Sequence, residues 1–431
     1  MPMQHLIGSA RAVRPWLSVL IAGLALTACH SATTPSSPKS AAKAKSTAKA
    51  SPAAELVSGP AGYTWQASTH SPDGVQPEPA LRDLAKRCQR FERGLMQVAA
   101  QVAQRQAQHE NAFTPEELKL ALRAAGVPQV WERVWSLNAT QLQDEDAARR
   151  IDAWLSKHEP QGEVRCGIAK VKGPNLESLV VIALDALGDL TAIPTRARLG
   201  QWIAVDAQLH LPTSDAKVVV MGPTGAPRAV LTSAPRNNRV LSRVALDQPG
   251  PWLIQVISVH GKGPRPTLEA MVFVDSEPPT HFEPHPAPGE AAGHGFADAT
   301  TALLRMTNDA RAHSGLNALQ RDPELDRLAN EHVRAMVQAR QLAHDLGQGG
   351  PAERVTQAGL QPLAVGENLA TASTLLNAHR ALWASPSHRG AMLEPRFTAM
   401  GIGIVTSEDR SIWVCELFAN FGSTGKIAPT R

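Results

Sequence analysis

The stretch ALWASPSHRGAML, residues 381–393, gathers two hydroxyls and an imidazole, Ser385, Ser387 and His388, around a proline. Those residue types can build a nucleophile with its base. No Gly-x-Ser-x-Gly elbow frames the serines and no acid partner is assigned to them, so both are read as helix caps. His388 stays open, either a group with chemistry or a helix-end histidine. Among the other candidates, His332 falls on the apolar stripe Leu325, Leu328, Ala329, His332, Val333, Met336 and reads as a satisfied core histidine. His281, His285 and His294 sit in a Pro-rich stretch that provides no fixed geometry for a metal. Cys415 lies between hydrophobic strand residues, where a thiol is by default buried and inert. The chain carries no His-Glu-x-x-His zinc helix, no P-loop and no dinucleotide fingerprint.

At 431 residues the chain exceeds the usual ceiling for one hydrophobic core, which predicts two or three domains. Residues 1–28 belong to none of them. Arg11 and Arg14 precede an apolar run over residues 16–26, too short for a permanent span, that ends in Leu26-Thr27-Ala28-Cys29. This ending resembles the bacterial lipobox, which implies a lipoprotein signal peptide, Cys29 as the lipidated first residue, and a cell-envelope protein anchored to a membrane and facing periplasm or exterior. A plain signal peptide cut nearby, or an uncleaved anchor, is the alternative. Residues 29–75 read as a disordered Ser/Pro/Ala/Lys-rich tether, with almost nothing large to bury from His30 to about Ala54. The net charge of +4 is spread without basic runs outside that tether, which excludes a nucleic-acid binder.

The rest divides by period. Residues 76–188 read as an α+β domain: Thr114-Pro115-Glu116-Glu117 is a helix start with its cap, and an apolar strand follows over residues 178–184. Over residues 189–275 the period becomes two. Val205, Ala207, Leu209 and Leu211 alternate with polar neighbours, as do the stretches around Val244 and Ile254, which predicts an antiparallel sandwich of six or seven strands, immunoglobulin-like and architectural. Residues 276–296 read as a flexible Pro-rich linker, and the helical period returns over residues 297–425.

Four signals follow one another there: LAHD (342–345), VGENLA (365–370), LWASPSHR (382–389), and MGIGIV with SIWVCELF (400–418). Preceded by MTNDARAHSGLNAL and PELDRLANEH, this succession resembles the CAP superfamily of cysteine-rich secretory, antigen 5 and pathogenesis-related proteins, in its bacterial secreted form, over residues 299–421. The resemblance implies an α-β-α sandwich with a cleft lined by His344, Glu367 and His388. Two neutral imidazoles, His344 and His388, can offer nitrogen to Zn²⁺ or another divalent cation, with Glu367 fixing one ring; two protein ligands make a weak site completed by water. Trp383-Ala384-Ser385-Pro386 lacks the second cleft glutamate of animal and plant members, so an activity needing paired carboxylates is not implied. Glu416 is a further candidate, either reaching the cleft or lying at the rim.

The ends of this unit recur upstream. Pro79-x-Leu81-x-x-Leu84-Ala85 matches Pro323-x-Leu325-x-x-Leu328-Ala329, and RCGIAKV (165–171) parallels AMGIGIV (399–405). Residues 76–188 are therefore expected to be a degenerate copy of the CAP fold, or else a coincidental helix-then-strand segment. With Cys29 set aside, three cysteines remain, and the copy would pair Cys88 with Cys166 and leave Cys415 free. The expectation is an α+β multidomain protein whose cleft binds a small-molecule, lipid or cell-wall ligand without turning it over; the alternative is a metal-dependent hydrolase or peptidase with Glu367 as the catalytic base.

Overall fold

The structure, a computed structural model, describes residues 62–69, 74–261 and 263–422. They all belong to one compact unit, residues 58–431. The signal segment 1–28, Cys29 and most of the tether 29–75 lie outside the described residues. No described helix is long and apolar enough to cross a membrane.

The first region runs α1 (Pro79–Leu84), β1 (Arg90–Phe91), α2 (Arg93–Ala107), α3 (Pro115–Ala124), β2 (Arg133–Ala139), α4 (Asp144–Leu155), β3 (Glu163–Lys172) and β4 (Glu177–Ala186). Its sheet has the order β1-β3-β4-β2, parallel at the β1–β3 edge and antiparallel elsewhere. Val180, Ile182 and Leu184 of β4 pack with α2 and α3, while Leu179, Val181 and Ala183 face α1 and α4. Successive strand residues point to opposite faces, so a fully apolar strand implies helices on both. Thr114 caps α3 by accepting from the Glu117 amide at 3.1 Å, as its sequence predicts. Cys88 and Cys166 are joined by a disulfide beneath α1 and α4.

Eight strands follow: β5 (Gly188–Leu190), β6 (Arg196–Ala197), β7 (Trp202–Leu209), β8 (Asp215–Met221), β9 (Arg228–Val230), β10 (Arg239–Ala245), β11 (Gly250–His260) and β12 (Gly263–Val274). They form a three-stranded sheet, β10-β7-β5, and a five-stranded sheet, β6-β12-β11-β8-β9. The alternating residues Val205, Ala207 and Leu209 meet Val218, Ile254 and Val272 in one core, as expected of period-two strands with one buried face. The count exceeds six or seven because β6 and β9 are only two and three residues long, below what periodicity can register.

The Pro-rich segment is not the loose linker expected from composition. It contains a short 3-10 turn, Glu290–Gly293, and is tied to the following region: His379 Nε2 lies 2.9 Å from the Pro288 carbonyl, and Arg380 donates to both oxygens of Glu290 at 2.6 and 2.7 Å.

The last region runs α5 (Ala299–His313), β13 (Gln320–Arg321), α6 (Pro323–Ala339), α7 (Pro351–Gln357), β14 (Ala364–Ala372), α8 (Leu375–Ala384), α9 (Pro386–Met392), β15 (Ala399–Thr406) and β16 (Ile412–Asn420). The sheet order is β13-β15-β16-β14, again parallel only at the first pair. Helices α5 and α8 cover one face through Met400, Ile402, Val414 and Phe418; α6 and α7 cover the other through Leu369, Cys415 and Leu417. This is an α-β-α sandwich.

The two four-stranded sheets follow the same element order, α9 apart. The repeat match read from Pro79 is therefore one helix out of register. The helix in the place of α6 is α2, because Gly167 and Gly401, at the same position of the same strand, each let a helix backbone approach so closely that a Cβ would overlap Leu95 or Leu325. α1 packs instead beside α4.

Candidate functional site

The site is built from the α6 face of the last sheet. Asp322 starts α6 by accepting from the Glu324 and Leu325 amides at 2.9 and 3.1 Å, with Pro323 in the first turn. The helix ends at Arg340 in the left-handed region, φ 50°, which turns the chain toward His344. Asp345 then accepts from the amides of Gly347 and Gly349 at 2.7 and 3.0 Å, and both glycines have positive φ, a conformation other residues resist. His344 is thereby fixed on a short, hydrogen-bonded loop.

Glu367, on β14, is buried and occupied on both oxygens. Oε1 takes the hydrogen bond of His344 Nδ1 at 2.8 Å; Oε2 takes those of Arg354, from α7, and of the Cys415 thiol at 3.3 Å. Burial alone pushes the Glu367 carboxyl up, but the hydrogen bond from His344 and the charges of His344 and Arg354 outweigh it and hold it below the ordinary range. Burial, with the Glu367 charge adding to it, pushes the Cys415 thiol well above its ordinary value, so it stays a thiol. His332, as expected, is a core residue: its Nε2 lies 2.9 Å from the Ala343 carbonyl and 3.9 Å from Glu367.

His388 is half-buried in the first turns of α9. Burial lowers its pKa to about 3, helped by the charges of His344 and Lys119, so the ring is neutral. None of the described residues hydrogen-bonds that ring. Its backbone carbonyl is held by the Asn368 amide at 3.0 Å, and Arg389 ties the Trp383 carbonyl at 2.6 Å while stacking over that indole. His344 and His388 line one small cavity of about 40 Å³, with Leu369, Trp131 and Arg265. In its neutral form, His344 bonded to Glu367 through Nδ1–H would present the Nε2 lone pair, the arrangement in which a carboxylate orients a metal-binding ring. Among the described residues no cluster of three or more His, Cys, Asp or Glu side chains is disposed to hold a metal.

Two expectations are corrected. Glu416 does not enter the cleft: it is one strand position from the Cys415 face and points to the opposite side of the sheet, where the Thr307 hydroxyl and the Asn368 amide donate to it at 3.2 and 3.0 Å. Ser385 occupies the N-cap position of α9, yet its hydroxyl caps nothing; it accepts from Gln255 at 3.3 Å and lies 3.2 Å from the Ser387 hydroxyl. Reading the sequence alone also missed Arg354, which clamps Glu367 and donates to the carbonyls of His344 and Gly349. A buried carboxylate demands a cation, and that requirement was the one available signal.

The cleft is not open as it would be in an isolated domain. Trp131 comes from the first region, and Arg265 and Pro266 from β12; the Trp131 indole donates to the Pro266 carbonyl at 2.8 Å and Arg265 stacks on its ring, 4.8 Å from the centroid. Gly263, with φ 101°, lies so close to His344 that a Cβ would come within 2.9 Å of that side chain. Three regions therefore meet over the two histidines.

Comparison with known proteins places the last region. The model of the cysteine-rich secretory protein family, CAP, matches residues 304–417. No curated protein matches the chain. Among solved structures, an outer surface protein of Borrelia burgdorferi is 22% identical over 29% of this chain and 95% of its own, with a TM-score of 0.28. An extracellular protein containing an SCP domain from Bacillus anthracis is 14% identical over 55% of this chain and 86% of its own, with a TM-score of 0.27. A cysteine-rich secretory protein of Staphylococcus aureus is 11% identical over 62% and 89%, with a TM-score of 0.25. Residues 304–417 are a CAP domain, matched by the model of the cysteine-rich secretory protein family.

Proposed function

We propose that the chain is an exported, envelope-anchored binding protein whose CAP cleft takes a ligand and a weakly held divalent cation between His344 and His388. The observation that carries this is the fixed His344–Glu367 pair facing the neutral His388 across one cavity. Two imidazole nitrogens and water are what such a site offers, and Arg265 in the same wall opposes a second positive charge. Affinity is accordingly modest. The hydrolase alternative is less well supported: Glu367 has both oxygens engaged and its pKa lowered, so it is a poor proton acceptor.

The same reading takes the region before the sandwich as a chemically silent copy of the CAP fold, supported by the shared element order and strand pairing. The sandwich is an immunoglobulin-like spacer, and Cys29 is the lipid attachment point, on the strength of the lipobox-like ending alone. Calorimetric titration of Zn²⁺ into the purified chain tests the cleft. One weak site is expected, lost in both His344→Ala and His388→Ala. No binding by the wild-type chain would remove the cation from the proposal.

A further inference from the structure

The small cavity between His344 and His388 has one wall that the CAP domain does not supply. Arg265 of β12 closes it, its guanidinium stacked on Trp131 and its Nη1 donating to Gln161 Oε1. Its Nε and Nη2 donate to none of the described residues, and no described carboxylate stands within ion-pair distance of it. Burial pushes the guanidinium down, and the charge of Asp185 offsets that only in part.

The charges round the cavity single out this one. Asp185 already takes Arg133 at 3.2 Å, His158 at 2.9 Å and the Gln161 amide at 3.0 Å. Glu367 is held by Arg354, and Glu269 by Arg123 at 3.1 Å. Lys119 and Glu132 lie in the wall of a separate, larger cavity beyond His388, where their charges offset one another in number. None of the described residues lining the small cavity is a carboxylate. Each acid thus has a cation of its own, and Arg265 remains as a partly desolvated positive charge beside two imidazoles.

Such a guanidinium is costly alone and complementary to an oxyanion, whose oxygens can take its hydrogens in parallel. The neutral His388 ring carries one N–H, and no described residue accepts from it. Donors that converge from Arg265 and His388 call for a group with more than the two oxygens of a carboxylate. A volume of about 40 Å³ holds a few waters or one such group, and no large apolar body.

We propose that the closed CAP cleft takes one phosphate-type oxyanion, seated on the Arg265 guanidinium with the His388 ring N–H as a second donor. The inference rests on the ligand-binding reading of the cleft and narrows its ligand, but it needs no metal.

The test is calorimetric titration of inorganic phosphate, and separately of glycerol 3-phosphate, into the metal-free full chain. Phosphate is expected to bind at one site, at least tenfold more weakly in Arg265→Gln and with a smaller loss in Arg265→Lys, which keeps the charge but not the fork. Ester binding as tight as that of the ion assigns the group to the end of a larger molecule, and a tenfold preference for the ion assigns it to the free ion. In the wild-type chain labelled with ¹⁵N-histidine, phosphate should also shift the His388 ring signal, a readout that needs no variant. No saturable binding, equal binding by Arg265→Gln, or an unmoved His388 signal overturns the proposal. Zn²⁺ titration of the same samples separates the two readings. Phosphate bound without Zn²⁺ removes the cation alone, Zn²⁺ bound without phosphate removes this inference alone, and neither bound removes both.

Discussion

The sheet of residues 90–186 and the sheet of the CAP domain share strand order, edge polarity and the glycine that seats a helix, but they fill the same positions with different chemistry. Pairing register aligns them. Ile182 and Leu417 stand opposite Gly167 and Gly401, and across the other edge they face Val134 and Glu367. By the same register Val180 replaces Cys415, Val181 replaces Glu416, and Trp135 replaces Asn368. The CAP sheet thus carries two buried carboxylates where its counterpart carries two valines. At these positions one sheet carries apolar side chains, its buried ion pair Arg165–Glu92 lying elsewhere, while the other places buried carboxylates there that must be balanced locally, which is the usual cost of holding a site in place.

The largest effect should come from the disulfide, whose position in the first sheet, Cys166, corresponds to Met400 in the CAP sheet. The bridge spans 78 residues, and closing a loop of that size stabilises by about 4 kcal/mol in the chain-entropy picture. Cys88→Ser with Cys166→Ser should lower stability by that order in denaturant unfolding and leave Zn²⁺ titration unaltered. An unchanged unfolding midpoint would mean that packing, not the crosslink, holds the first sheet.

Next is Glu367→Val, which gives the CAP sheet the residue of its counterpart. Removing one partner of a buried ion pair leaves the other uncompensated, typically a loss of 3–5 kcal/mol, and here the lower end, about 3 kcal/mol, is expected because Arg354 keeps the carbonyls of His344 and Gly349. The variant should also lose the cation, since His344 is no longer oriented. Retained stability and retained Zn²⁺ binding together would show that the carboxylate is dispensable and break the contrast between the sheets.

The sequence made some of this legible and hid the rest for identifiable reasons. The CAP motifs were readable because each is local: LAHD, VGENLA and PSHR lie on single loops or strands, so their residues needed only a known order to be assigned. The glycine strands RCGIAKV and AMGIGIV take the same place in their two sheets, where a close helix contact requires the glycine. The helix match slipped by one element because Pro-x-Leu-x-x-Leu-Ala is satisfied by any amphipathic helix with proline in its first turn. Strand β2 went unread because Val134, Ser136 and Asn138 mix poorly with a period-two signal, and its pairing with β4 is a tertiary event. Arg123–Glu269, Gln255–Ser385 and the seating of the Pro-rich segment on His379 and Arg380 depend on docked regions, and no local pattern announces them.

The smallest and most diagnostic effect concerns Glu416, the counterpart of Val181. Burial raises its pKa to about 7, only partly offset by the hydrogen bonds from Asn368 and Thr307. In the unfolded chain the same carboxyl ionises near pH 4.5, so between these values the folded state binds more protons than the unfolded one. Stability therefore falls as pH rises through that window, by up to about 3 kcal/mol, and the contribution is fully present only below it. Glu416→Gln keeps an acceptor for Asn368 and a donor for the Thr307 hydroxyl but cannot ionise. Relative to wild type it should gain about 2–3 kcal/mol between pH 4 and pH 8, read from denaturant unfolding at each pH. Burial also raises the Glu92 carboxyl of the first region, but Glu92 is present in both proteins, so the difference between them reports Glu416. If the two proteins lose stability in parallel across the window, Glu416 is already ionised in the folded state, and the buried carboxylate must be balanced by a cation on its own face of the sheet.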